Sequence, residues 1–141
     1  MELTAEDCVE VQQLYVRFAM GVDGVLSVDE WLTCWTADGE HRLSFWAPDF
    51  PRGHAALRER AEQNLASRTR GAYHWSATPL IKPAPFGATG ICYSLGILEA
   101  ETTRGEIGPA MIYHDELVRD EGAWKFRRRT LGPLGWDPDQ A

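Results

Sequence analysis

No two of the chain's three cysteines, Cys8, Cys34 and Cys92, stand close together, and an odd number leaves one without a mate. The lack of any CxxC spacing excludes the usual zinc and dithiol motifs, and the lack of an even framework excludes a small disulfide scaffold. Positive charge is also short. Lys and Arg total 14 against 21 Asp and Glu, a formal net charge of −7. The one basic cluster, Lys125, Arg127, Arg128 and Arg129, is too local to form the stripe that displaces counterions from phosphates, so no nucleic-acid partner is predicted. No apolar run approaches the roughly 20 residues of a membrane helix. The opening Met1-Glu2-Leu3-Thr4-Ala5-Glu6-Asp7 is acidic and polar, unlike a secretory signal. The expected setting is soluble, reducing and cytoplasmic, with no membrane partner. His41, His54 and His114 share no ligand spacing with cysteines or carboxylates, and His114-Asp115-Glu116 are adjacent rather than on one face. No metal site is predicted.

What remains is apolar material: 44% of 141 residues are hydrophobic and 11% aromatic, enough for one domain over 1–141 with a real core. Thr4 can cap a first helix whose stripe is Val11, Leu14, Tyr15, Phe18 and Val22, with Glu6 and Asp7 in its acidic first turn. Gly21 and Gly24 loosen the chain around Asp23. Ser27 and Glu30 form a capping box for a short second helix with Trp31, Leu32 and Trp35 as its apolar face. Asp38-Gly39 reads as a turn and Glu40 to Trp46 as a strand, followed by a proline-rich loop. A third helix is expected from about His54 to Ser67, with Leu57, Ala61 and Leu65 inward.

After Gly71 the pattern turns to strands: Ala72 to Lys82, interrupted by an edge or bulge at Pro79; Ala88 to Glu101; Gly108 to Arg119; and Ala123 to Leu131. Asp120-Glu121-Gly122 is the turn between the last two. Residues 132–141 form a tail rich in proline and glycine, and Trp136 makes it a candidate cover for a pocket mouth. Early helices followed by long strands predict an α+β layer fold, a strongly bent sheet wrapped on one face. The central strands carry apolar residues on both faces, so the face without helices needs a cavity, a ligand or another subunit.

Four segments, "VQQLYVRFAMGVD", "WLTCWTADGEHRLSF", "GHAALRERA" and "YHDELVRDEGAWKFRRR", resemble the SnoaL-like branch of the NTF2-like superfamily, over about Cys8 to Leu131. The resemblance implies a cone-shaped NTF2-like fold, with a mixed or antiparallel sheet and about three N-terminal helices around one pocket. It further implies a homo-oligomer, trimer or dimer. The group most similar contains scytalone dehydratase, bile-acid dehydratase and hexachlorocyclohexane dehydrochlorinase. Their catalytic aspartate falls on Asp23 in "GVD", their catalytic histidine on His74 in "AYHWSATPLI", and their pocket arginine on Arg129, five residues past Trp124. Departures are Phe18 where the dehydrochlorinase has lysine, Ala77 or a neighbour where an asparagine is usual, and Tyr15 as the one match to a tyrosine pair.

The residue chemistry fits that placement. A neutral imidazole accepts a proton near neutral pH, and a carboxylate on its far nitrogen fixes the tautomer and stabilises the imidazolium. Arg129 is the candidate stabiliser of a developing anion. Tyr15, Phe18, Trp31, Trp35, Trp46, Tyr113 and Phe126 are the candidate pocket lining, although each reads first as core. Asp23 reads equally as a helix-ending turn residue and His74 as a core histidine. Arg127, Arg128 and Arg129 should alternate between strand faces, leaving two on a solvated side. The expected activity is a cofactor-independent, dehydratase-like lyase or isomerase on a hydrophobic, cyclic small molecule. The alternatives are a polyketide-type cyclase or epoxide hydrolase in the same pocket, or a non-catalytic ligand-binding module.

Overall fold

The computed structural model describes residues 2–43, 49–67, 72–98 and 106–140. Helix α1 (Ala5–Val22) starts at a reciprocal cap, in which the Thr4 hydroxyl accepts the Asp7 N–H and the Asp7 carboxylate accepts the Thr4 N–H. Ser27 and Glu30 begin α2 (Val28–Leu32) in the same way. Then follow β1 (Trp35–Leu43), α3 (His54–Ala66), β2 (Ala72–Ser76), β3 (Leu80–Ala84), β4 (Gly87–Leu98), β5 (Glu106–Asp120) and β6 (Ala123–Pro133). The fold is α+β, three helices against one strongly curved open sheet of order β1-β6-β5-β4-β2, with β3 also on β4. β1 runs parallel to β6, and the other pairings are antiparallel. Among the described residues no helix is long and apolar enough to cross a membrane.

Several boundaries differ from the sequence reading: β3 runs through Pro83 to Ala84, β5 starts at Glu106 rather than Gly108, and β6 takes Gly132 and Pro133 from the expected tail. β1 begins at Trp35 rather than Glu40, and Asp38-Gly39 lies within a register shift of that strand, not in a turn before it. The strand expected over Ala72–Lys82 is two, β2 and β3, because Pro79 has no N–H to give a ladder. Trp35 opens β1 instead of closing α2. The last hairpin turn is where it was expected: Glu121 and Gly122 both have positive φ, 53° and 81°, as a two-residue turn matching strand twist requires.

The sheet's inner face is built in cross-strand rows. One row is Trp35, Phe126, Leu117 and Ala88; the next is His41, Arg129, Asp115 and Gly90; a third is Leu43, Leu131, Tyr113 and Cys92. Two rows are mostly apolar and the middle one is polar. α1 lies over them with Val11, Leu14, Tyr15 and Phe18 buried. Gly90 is what lets α1 reach the middle row, since a Cβ there would sit 2.2 Å from the Tyr15 hydroxyl. The start of α1 is tied to the β5–β6 hairpin as well. Asp7 accepts from Arg119 (2.6 Å) and the Trp124 indole (2.9 Å), and Glu10 accepts from Arg119 and the Trp124 backbone.

Strand alternation alone would put Arg127 beside Arg129. A bulge changes that: Leu117 pairs with Phe126 and Glu116 with Arg128, leaving Arg127 as the extra residue. Arg127 and Arg128 therefore both bind Glu116 on the outer side, and Arg129 alone turns inward. The outer face also carries exposed aromatics, Trp75 at 67% and Tyr93 at 63% exposure. Trp136 of the tail packs there too, flat on Gly132 and edge-on to His114, across the sheet from α1.

Gly90→Ala is expected to push the Tyr15 hydroxyl off Asp115 and cost about 1–3 kcal/mol, the usual range for overpacking. Tyr15→Phe removes the same contact, so the double variant should be less destabilised than the sum of the singles. Chemical denaturation of all four proteins checks this, and strict additivity contradicts it.

Candidate active site

Asp23 caps the C-terminal end of α1, and β2 sets His74 opposite Gly96 of β4. The two meet. Asp23 Oδ2 accepts the His74 backbone N–H at 3.0 Å, and Oδ1 lies 2.6 Å from His74 Nδ1. One carboxylate thus holds both the backbone and the ring of His74. With Nδ1–H donating to Asp23, Nε2 is left as the basic nitrogen. The Asp23 side chain is 6% exposed and that of His74 33%, so the carboxylate is enclosed while the ring keeps an open side.

Arg129 is fully buried in the middle row of the sheet. Its Nε and Nη2 donate to the two oxygens of the equally buried Asp115, both at 2.9 Å, and the Tyr15 hydroxyl donates to Asp115 Oδ2 at 2.5 Å. Tyr15, Phe18, Tyr113 and Phe126 face its guanidinium at 3.8–4.6 Å. Burial works against the Arg129 charge, and Asp115 overcomes it and holds the pKa above the usual arginine value. Burial and the Asp115 charge hold the Tyr15 phenol well above its ordinary pKa, so Tyr15 remains a donor. Burial pushes Tyr113 up to about 12. Of the three Arg129 nitrogens, Nη1 is the one enclosed without a partner among the described residues.

Beside Arg129, on β1, stands His41, whose Nε2 is also enclosed without a hydrogen bond. Burial first, then the charges of Arg129, Arg60 and His74, bring its pKa down to about 3, so the ring is neutral. His41 lines a cavity of about 50 Å³ together with Gly21, Val22, Trp31, Arg60 and Asn64. That cavity adjoins the end of α1, one residue before Asp23.

The structure therefore brings Asp23 to His74, and sets Arg129 in the same interior. Of the expected lining, Trp31 faces the cavity, whereas Tyr15, Phe18, Trp35, Tyr113 and Phe126 are buried around Arg129 and each other. Trp46 lies outside the described residues. Asp115 and His41 enter the sequence reading only as metal ligands that it rejects. Among the described residues no group of three or more His, Cys, Asp or Glu is placed to hold a metal. The one available signal for Asp115 was its inward register beside Met111, Tyr113 and Leu117, an acid on an apolar strand face.

Residues 3–130 match the family model of a SnoaL-like domain. The chain is similar in structure to a protein of unknown function with a cystatin-like fold from Nostoc punctiforme, at 25% identity and TM-score 0.81 over 98% of both chains. It is also similar to Aln2 from a Streptomyces species, at 21% identity and TM-score 0.79 over 94% of both chains. ActVI-ORFA from Streptomyces coelicolor gives 24% identity and TM-score 0.75, over 87% of this chain and 94% of that one. None of the curated proteins matches.

His41 should make the fold acid-sensitive. Its unfolded pKa, near 6.5, exceeds the folded value of about 3, so the unfolded state binds the proton first as pH falls. The stability contribution is complete above pH 6.5 and is lost on acidification towards pH 3. Allowing for the ring's partial solvent contact, that loss is about 1–3 kcal/mol at pH 4.5. His41→Gln should flatten the difference between unfolding curves at pH 7 and 4.5, and an unchanged slope would contradict the assignment.

Proposed function

The chain belongs to the SnoaL-like family, and from that premise we propose that it is a cofactor-independent lyase or isomerase acting on a hydrophobic, cyclic small molecule. The observation that carries this reading is the Asp23–His74 pair, a half-open imidazole tied at Nδ1 to an enclosed carboxylate. Such a ring is a general base with a fixed tautomer.

In the proposed reaction His74 Nε2 takes a proton from a substrate carbon next to the one bearing the leaving group. The C–H electron pair becomes the new double bond, and the leaving group departs with its own pair. When that group is a hydroxide, the imidazolium returns its proton to it and water is released. Return of the proton to another carbon of the same skeleton gives isomerisation instead. Proton transfer and elimination of this kind need neither a metal nor an organic cofactor.

Asp23 orients His74 and offsets its positive charge once the proton has moved. Arg129 serves as the electrostatic helper through its one uncommitted nitrogen, Nη1, because Asp115 already holds Nε and Nη2. The Tyr15 hydroxyl is committed to Asp115, so Tyr15 positions Arg129 rather than meeting substrate.

On an identified substrate, His74→Ala should lower kcat by about 10²–10⁴-fold, the range for loss of a general base, with analogue binding retained. Asp23→Asn should lower kcat by a comparable factor, since an amide keeps the contact but does not fix the tautomer. Steady-state kinetics and analogue titration check both. A His74→Ala enzyme with near-normal kcat would sink the mechanism.

A further inference from the structure

α3 has two chemically different sides. Arg58, Glu59, Glu62 and Gln63 bind one another or Asp29 along the solvent side. Leu57, Arg60, Ala61, Asn64 and Leu65 recur at spacings of three and one, a single helix face that runs from buried at Leu57 to exposed at Asn64, and all five line the 50 Å³ cavity. Two of those five are polar. Among the described residues no carboxylate lies within ion-pair distance of Arg60, and no hydrogen bond is made by the Asn64 side chain. Across the cavity, the enclosed His41 Nε2 is without a partner as well. Three polar side chains from α3 and β1 thus converge on one small space and are not used up by each other.

We propose that this cavity is a subsite for an anionic oxygen group, a carboxylate or phenolate, at one end of an otherwise apolar substrate, with Arg60 and Asn64 holding the oxygen and His41 against it. The proposal rests on the reading of Asp23 and His74 as the reacting pair, since the cavity is lined by Val22, the residue before Asp23.

Size and charge both point this way. A whole drug-sized ligand needs about 300–1,000 Å³, so 50 Å³ takes only a head group. The positive charges of Arg129 and Arg60 act on the His41 ring and disfavour a cation there, and the same field favours an anion. Asp115 neutralises Arg129 at close range, which leaves Arg60 as the charge free to pair with a ligand. A guanidinium and a carboxamide donate to a carboxylate in complementary geometry, and neither accepts a proton from it.

The test is calorimetric titration of the full chain with 1-naphthoate and with its neutral isostere 1-naphthamide. The acid should bind on the order of tenfold tighter than the amide, and Arg60→Gln should abolish that preference. Asn64→Leu, at an exposed helix position, should weaken the acid selectively. Failure of either compound to bind, equal binding of the two, or a preference that survives Arg60→Gln overturns the subsite. The dyad is judged separately. His74→Ala should lose turnover and keep the charge preference, so a lost preference with an inactive His74→Ala condemns the subsite alone. An active His74→Ala that keeps the preference condemns the dyad alone.

Discussion

An arginine and an aspartate locked together in the middle of the sheet govern the rest of this molecule. Burying Arg129 and Asp115 takes two charges out of water, at a cost of several kcal/mol per ion even after relaxation. Their attraction offsets that cost only with good geometry and few unmet hydrogen bonds. The structure supplies both: two parallel 2.9 Å bonds, a third to Asp115 from Tyr15, and four aromatic faces against the cation. Buried pairs of this kind are often no more stabilising than well-packed apolar residues. What the pair does here is fix placement. It demands a glycine at position 90, an extra residue at Arg127, and a tyrosine in the middle of α1.

That placement carries through to the dyad. Asp7, Tyr15 and Asp23 stand eight residues apart along α1, each about 12 Å further on. The first binds the β5–β6 hairpin, the second binds Asp115, and the third binds His74 on β2. The helix is thereby tied to the sheet at its start, middle and end. A shift or rotation of α1 that broke the Tyr15 contact would also withdraw Asp23 from His74. The geometry of the reacting pair is thus set partly by an interaction that takes no part in the proposed chemistry.

Local signals in the sequence were enough for the helix starts, the Glu121-Gly122 turn and the meeting of Asp23 with His74, the last through resemblance. Capping boxes and tight turns depend on residues three or four apart, so a linear reading finds them. Arg129 was found as a residue but not as a buried one. Its enclosure depends on the bulge at Arg127, and a two-residue period cannot show an insertion that exists only relative to a partner strand. The surroundings of Asp115 and His41 are hidden in the same way, because their neighbours come from strands paired across 14 residues and more. The split at Pro79 was half legible: proline announced an interruption, but not that both pieces would lie on the same neighbour.

The charge distribution adds a last step. The chain carries −7 overall, yet Arg60 and Arg129 direct positive charge at the cavity beside the proposed dyad. At physiological ionic strength the Debye length is about 8 Å, so the acidic surface and the basic interior act on a ligand at different ranges. On the proposed subsite, an anion approaching from solvent would not be drawn in by the protein's net field and would gain only once its head group is within contact distance of Arg60. Such an arrangement discriminates by fit at the bottom of the site rather than by capture at the surface. It also suits the proposed elimination, because the positive charge that would receive a ground-state anion lies near the place where negative charge would grow if His74 removed a proton.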